Sequence, residues 1–138
     1  MRRFVMLASV CLLAACKGDS ATQPSPVYVI GNWSLRSVNG SPLPHVVDQT
    51  PTTKVELTTL SATFSAGVAF TTTAIYRNTI NGAVTTTVSP DTGTYVLSGT
   101  SLVVRFSDGT TLSGSIADTT MTLSEPGVAF VFTRAAEF

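Results

Sequence analysis

Residues 29–44 read VIGNWSLRSVNGSPLP, and this stretch decides how the fold begins. Gly31 stands two residues before Trp33, the single tryptophan of the chain. The pair Asn39-Gly40 follows, and this dipeptide is the strongest short signal for a β-hairpin turn. The folded part of the chain is therefore predicted to begin with a strand that carries the indole and ends at a tight turn.

Turn signals continue downstream of this first strand. A second Asn-Gly pair, Asn81-Gly82, marks another hairpin, and from there the breaks recur every 8 to 10 residues. The other breaks are residues 65–67, 90–93, 98–100, 108–109, 117–118 and 125–127. This spacing predicts short strands joined by tight turns.

Between the breaks, apolar residues alternate with the period of a β-strand. The alternation is visible in LVVRF at 102–106 and VAFVF at 128–132, whereas no stretch after the N-terminus keeps a helical period. We predict an all-β domain over residues 27–134, an antiparallel up-and-down meander of eight or nine strands. Closure into a barrel is favoured because it removes exposed edges. Eight strands enclose a lumen that side chains fill or that holds one small ligand.

The N-terminus is typical of a secreted protein. Arg2 and Arg3 precede an apolar, uncharged run at 4–15, which is too short for a transmembrane helix. Residues 1–15 are therefore predicted to be a signal peptide. The sequence Leu13-Ala14-Ala15-Cys16 resembles the lipobox of bacterial lipoproteins, which implies cleavage before Cys16 and acylation of its thiol and new amino terminus.

That resemblance implies where the protein is found. Acyl chains such as palmitate on Cys16 hold a protein on a membrane without a spanning helix. Lys17 follows the cysteine, where an Asp would favour retention in the inner membrane, so we expect a lipid-anchored protein of the bacterial envelope, on the outer membrane and facing the periplasm. Residues 16–26 have the composition of a flexible tether, and residues 135–138 form a short tail.

Cysteine and charge counts exclude several classes of function. Cleavage would remove Cys11 and acylation would block Cys16, so no thiol remains for a disulfide or a nucleophile. Loss of the two leading arginines leaves six basic and eight acidic residues, a formal charge of −2. Without a basic stripe, we expect no nucleic-acid partner.

The first and last predicted strands carry a second resemblance. Gly31-Asn32-Trp33 resembles the Gly-x-Trp motif that opens lipocalin-type barrels, and Arg134 lies at the matching place near the end of the chain. The resemblance, which spans residues 28–134, implies that Trp33 plugs one end of the barrel and that Arg134 packs over it and closes the barrel. Two alternatives stay open: Trp33 as the core residue of another small barrel or sandwich, or the barrel-like domain of heat-shock-type envelope lipoproteins.

Reactive side chains are few. His45, the one histidine, lies in a predicted loop and can by itself support neither a zinc site nor a Ser-His-Asp triad. Asp91, Asp108 and Asp118 fall in predicted turns, and Glu56 lies beside Lys54 on a face predicted to be solvated. We therefore expect no enzymatic activity, no metal and no cofactor.

The predicted interior suggests two functions. The residues that could line a ligand site are Phe70, Tyr76, Tyr95, Phe106 and Phe130, while alternation directs Arg77 and Arg105 outward. One hypothesis is a monomeric barrel that binds a small apolar ligand. The other is a non-enzymatic structural or protein-interaction module whose barrel is filled. A cavity of about 300 Å³ or more would favour the ligand.

Overall fold

The computed structural model describes residues 29–135 as an all-β domain of ten strands. The signal peptide at 1–15, the lipidated Cys16, the tether at 16–26 and most of the tail lie outside the described residues. The strands are β1 (Gly31–Val38), β2 (Ser41–Pro42), β3 (His45–Gln49), β4 (Thr53–Phe64), β5 (Ala69–Ile80), β6 (Ala83–Ser98), β7 (Ser101–Phe106), β8 (Thr111–Ala117), β9 (Thr120–Glu125) and β10 (Val128–Arg134).

Eight of these strands close into an antiparallel barrel, as the sequence predicts. Strands β4 to β10 form a meander, and β1 pairs with β10 on one side and with β4 on the other. Trp33 is thus opposite both Arg134 and Ala62. Two further strands lie outside the ring: β2 pairs with β1, and β3 pairs with β4. His45 begins β3 and does not lie in a loop.

The turns lie largely where the sequence predicts them. Asn39-Gly40 and Asn81-Gly82 form two-residue turns with positive φ at both positions, and each joins paired strands. Asp108 and Asp118 also lie in turns. At Asp108, the backbone N–H of Thr110 donates to Oδ1 at 2.8 Å and lowers the pKa of this carboxyl below its usual value.

The predicted break at 90–93 is wrong, because β6 runs unbroken from Ala83 to Ser98 through Pro90. The N–H of Tyr95 donates to Val68 beyond the end of β5, so odd-numbered residues of β6 direct their backbone groups toward β5. Pro90 faces the opposite side, where pairing with β7 has not yet begun. Its missing N–H therefore interrupts no ladder bond.

Alternation places apolar side chains inside the barrel. Registers between β1, β10, β9 and β8 align Leu35, Phe132, Met121 and Ile116 in one row across the wall. The largest fully buried side chains are Trp33, Phe64, Phe70, Leu102, Ile116, Met121 and Val104. Across residues 29–135, no helix is long and apolar enough to cross a membrane.

Candidate functional site

One end of the barrel is closed by Trp33, which is 0% exposed. Its indole N–H donates to the carbonyl of Val29 at 2.8 Å. The guanidinium carbon of Arg134 lies 4.7 Å from the centroid of the indole ring. A terminal guanidinium nitrogen of Arg134 also donates to the carbonyl of Ile30 at 2.8 Å. These contacts connect the first strand to the last at the closed end.

The backbone explains why this arrangement forms. Register pairs Trp33 with Arg134 across β1 and β10, which brings the two side chains together. Gly31 has φ 128°, a region that residues with a Cβ rarely adopt, so the strand can enter the barrel at this angle only with glycine there. A guanidinium over an indole contributes about 0.5–2 kcal/mol, depending on how dry the site is.

Aromatic rings pack next to this plug. Phe64 and Phe70 stack with centroids 5.4 Å apart, and Tyr95 meets Phe64 edge-on at 5.1 Å. The hydroxyl of Tyr95 donates to the carbonyl of Ser65 at 2.7 Å. These contacts hold Tyr95 in the closed end, so its hydroxyl is not available to a ligand.

A cavity of about 250 Å³ lies in the interior of the barrel. Four of the five residues that the sequence suggested for a ligand site lie on its wall: Phe70, Tyr76, Phe106 and Phe130. Tyr95 is not on the wall. The other lining residues are Leu57, Leu60, Ala62, Phe64, Thr72, Ala74, Ser89, Asp91, Val104, Thr110, Leu112, Leu123, Glu125 and Phe132.

The cavity extends from the aromatic cluster to the end of the barrel opposite Trp33. Phe64 and Phe70 are buried at its inner end, whereas Ser89 and Thr110 on its wall are exposed. Glu125 pairs with Val128, at the end of β10 far from Arg134. The mouth therefore lies at the far end, formed by the polar residues of the wall.

Two carboxylates on the wall, Asp91 and Glu125, belong to this mouth, and neither was predicted as a site residue. Asp91 accepts hydrogen bonds from the backbone N–H of Thr92 at 2.7 Å and from the Ser107 hydroxyl at 3.0 Å. Asp91 and Tyr95 are both odd-numbered residues of β6, so alternation directs both side chains to the same face. The turn predicted at 90–93 interrupted the strand and prevented this inference. Glu125 shares its parity on β9 with the buried Leu123 and was detectable by alternation.

A third carboxylate, Glu56, is buried outside the lumen, which corrects the prediction of a solvated side chain. It is 6% exposed and binds Lys54 at 3.0 Å and Arg77 at 2.6 Å. Hydrogen bonds from Lys54 and then Arg77 lower the pKa of this carboxyl below its usual 4.5. Register places Glu56 between Val46 of β3 and Arg77 of β5 on the outer face, and β3 was not predicted from the sequence.

The remaining predicted positions agree with alternation. Arg77 and Arg105 are exposed and lie on the outer face. Within residues 29–135, no group of three or more His, Cys, Asp or Glu side chains is placed to hold a metal ion. The candidate site therefore consists of an apolar cavity with an acidic mouth.

Comparisons with known proteins add little. No protein-family model and no curated protein matches the chain. A solved structure of an uncharacterized protein from Bacteroides eggerthii DSM 20697 is similar, with 14% sequence identity, a TM-score of 0.45, and coverage of 77% of this chain and 98% of that chain. A similarity of this degree carries no information about function.

Proposed function

We propose that this chain is a lipid-anchored envelope protein whose small lipocalin-like barrel binds one small apolar molecule. The observation that carries the proposal is the apolar cavity of about 250 Å³ beneath an open mouth. A cavity of about 150 Å³ lined by apolar side chains binds benzene, so this one suits a ligand of about ten non-hydrogen atoms. The arrangement of Trp33 and Arg134 supports the lipocalin-like assignment.

The residues on the cavity wall restrict the chemical classes of ligand that the cavity can bind. Aromatic and aliphatic side chains surround the inner part, while Asp91 and Glu125 stand at the mouth. A carboxylate head group would meet like charges there, which disfavours fatty acids. The proposed ligand is therefore neutral or cationic, with a compact apolar body.

A size series tests the binding. For residues 21–138, which contain every described strand, naphthalene should raise the melting temperature, because a ligand that binds only the folded state stabilises it. Pyrene, which is too large, and dodecanoate, which is anionic, should not. Ala74 lines the cavity, so Ala74→Leu should abolish the naphthalene shift, while Ala117→Leu, at an exposed position, should keep it. Equal shifts in both variants would contradict the proposal.

The lipid anchor rests on the sequence alone and is tested separately. Labelled palmitate fed to expressing cells should appear in the wild-type chain and be absent from Cys16→Ser, which should leave the membrane fraction or remain unprocessed. Label retained on the variant would contradict the anchor. Neither result depends on whether the barrel binds a ligand.

One observation favours a second function. The cavity is smaller than the 300 Å³ at which ligand pockets commonly begin. A barrel that is effectively packed would instead be a structural or protein-interaction module, and like the first proposal this one assigns no catalysis. Native mass spectrometry of the protein purified from its own envelope distinguishes the two, since a carrier retains a small molecule and a packed barrel gives a clean apo mass.

A further inference from the structure

One stretch of β6 has a neighbour on one side only. Residues 83–90 pair with β5, and all eight are exposed. The pairing between β6 and β7 covers only residues 93–98. Within the described chain, residues 83–90 therefore form a free edge of the sheet.

The backbone groups of the free edge can be assigned from the hydrogen-bond pattern. Since odd-numbered residues of β6 bond toward β5, the N–H and C=O groups of Val84, Thr86 and Val88 point away from the sheet. Pro90 points the same way but has no N–H to donate. The free edge thus presents a short ladder of donors and acceptors that ends at Pro90.

This edge carries only one of the usual protections against pairing, the proline at its end. Natural edge strands carry lysines, inward charges or bulges. Residues 83–90 contain no charged residue, and Val84 and Val88 are 60% and 59% exposed. Arg77, which stands opposite Thr86 on β5, already binds Glu56. Two such edges can therefore approach each other without charge repulsion.

The sequence of the edge is symmetric about its own centre. Residues 84–88 read VTTTV, a palindrome about Thr86. We propose that two copies of the chain dimerise by pairing their free edges antiparallel about a two-fold axis at Thr86. Each Val84 then lies opposite Val88 of the second copy, and Thr85 lies opposite Thr87 of the second copy, pairs of like side chains that stabilise antiparallel sheets.

The same register satisfies the backbone. Val84, Thr86 and Val88 each find an outward-facing partner, and Pro90 falls opposite Gly82 at the end of the ladder. A shift that brings Pro90 opposite Val84 would leave a carbonyl of Val84 without its donor. Because only about eight residues per copy take part, the contact is smaller than a standard interface, and we expect a weak, reversible dimer.

Cysteine cross-linking in whole cells that express the full chain tests the register, whether or not the chain is anchored to a membrane. Thr86→Cys should form a disulfide dimer in most molecules, because opposed Cα atoms in a hydrogen-bonded pair lie about 5.5 Å apart, within disulfide range. Val84→Cys should not, because its counterpart is about 13 Å away, whereas Val84→Cys combined with Val88→Cys should cross-link again. The unsubstituted chain measures any background from Cys11 and Cys16.

A second measurement tests whether the copies associate through the free edge or through another surface. Thr86→Lys places two ammonium groups side by side and should lower the cross-linking of the Val84→Cys/Val88→Cys chain at least tenfold. The matched control is Val96→Lys, at a 66% exposed position of β6 where β7 already pairs, and it should change nothing. No Thr86→Cys dimer, or equal cross-linking in both lysine variants, would overturn the proposal and favour the monomer expected from the sequence. Neither of these cross-linking results depends on whether the barrel binds a ligand.

Discussion

The closed end of the barrel and the free edge of β6 are both antiparallel sheet, yet they are held in different ways. At the closed end, every strand has neighbours on both sides and Trp33 is fully buried. At the free edge, residues 83–90 are all exposed and pair with one neighbouring strand, β5. The closed end is therefore held by packed side chains as well as by hydrogen bonds between strands, whereas residues 83–90 are held mainly by their pairing with β5.

The largest expected effect is at the closed end. Trp33→Ala should destabilise the domain by about 3–5 kcal/mol, because it removes a fully buried ring and leaves a cavity. Val84→Ala at the free edge should change stability by less than about 0.5 kcal/mol. Chemical denaturation gives the free energy of unfolding of both variants. Equal losses of this free energy would contradict the contrast between the closed end and the free edge.

Gly93 lies where β6 passes from the barrel to the free edge. A Cβ there would overlap the carbonyl oxygen of Arg105 and lie 2.6 Å from the Phe70 ring. Gly93→Ala should therefore cost about 1–3 kcal/mol through forced backbone shifts. Ser89→Ala, on the exposed part of the same strand, is the control for denaturation. A Gly93→Ala variant as stable as the control would mean that the strand can move at this point.

Arg134 should contribute less than the indole it covers. Arg134→Ala removes the guanidinium from Trp33 and should cost about 0.5–2 kcal/mol. Arg105→Ala, which removes an outward guanidinium, should cost almost nothing. If thermal melts of the two variants coincide, the contact between first and last strands contributes nothing to closure.

The smallest effect concerns Glu56, on the outer face of the sheet that carries the free edge. Its pKa is lowered in the folded state, so its contribution to stability is present above pH 4.5 and is lost as the pH falls through the folded pKa. Glu56→Gln should reduce the drop in melting temperature between pH about 7 and about 3. Arg77→Met should reduce this drop in melting temperature in part. If both variants keep the pH dependence of the wild type, Glu56 is not the group responsible for it.

Alternation and turn signals were enough for the class of fold. Asn39-Gly40 and Asn81-Gly82 identify their turns because few other dipeptides adopt positive φ at two successive positions. At Pro90 and Asp91, the same kind of turn signal predicted a turn that does not form, because β6 runs through both residues. Whether proline breaks a strand depends on which side its missing N–H faces, and that is set by the neighbouring strands.

The binding site was only partly predictable. Phe70, Tyr76, Phe106 and Phe130 lie on the cavity wall, whereas Tyr95 is held by Ser65 at the closed end. Glu56 is buried because β3 lies beside it, and β3 was missed because HVVDQ does not alternate: no residue of this strand is buried. Aromatic side chains that all point into the barrel thus have different roles, and which role each one takes depends on its neighbours across the sheet.

By itself, the sequence determined most strands of the barrel, the main turns and the inward face of those strands, because these follow from backbone geometry over a few residues. Only the tertiary structure decided the burial of Glu56, the volume of the cavity and the exposure of residues 83–90. Each of these depends on the register between segments distant in the chain. Register is selected by how the whole barrel closes and packs.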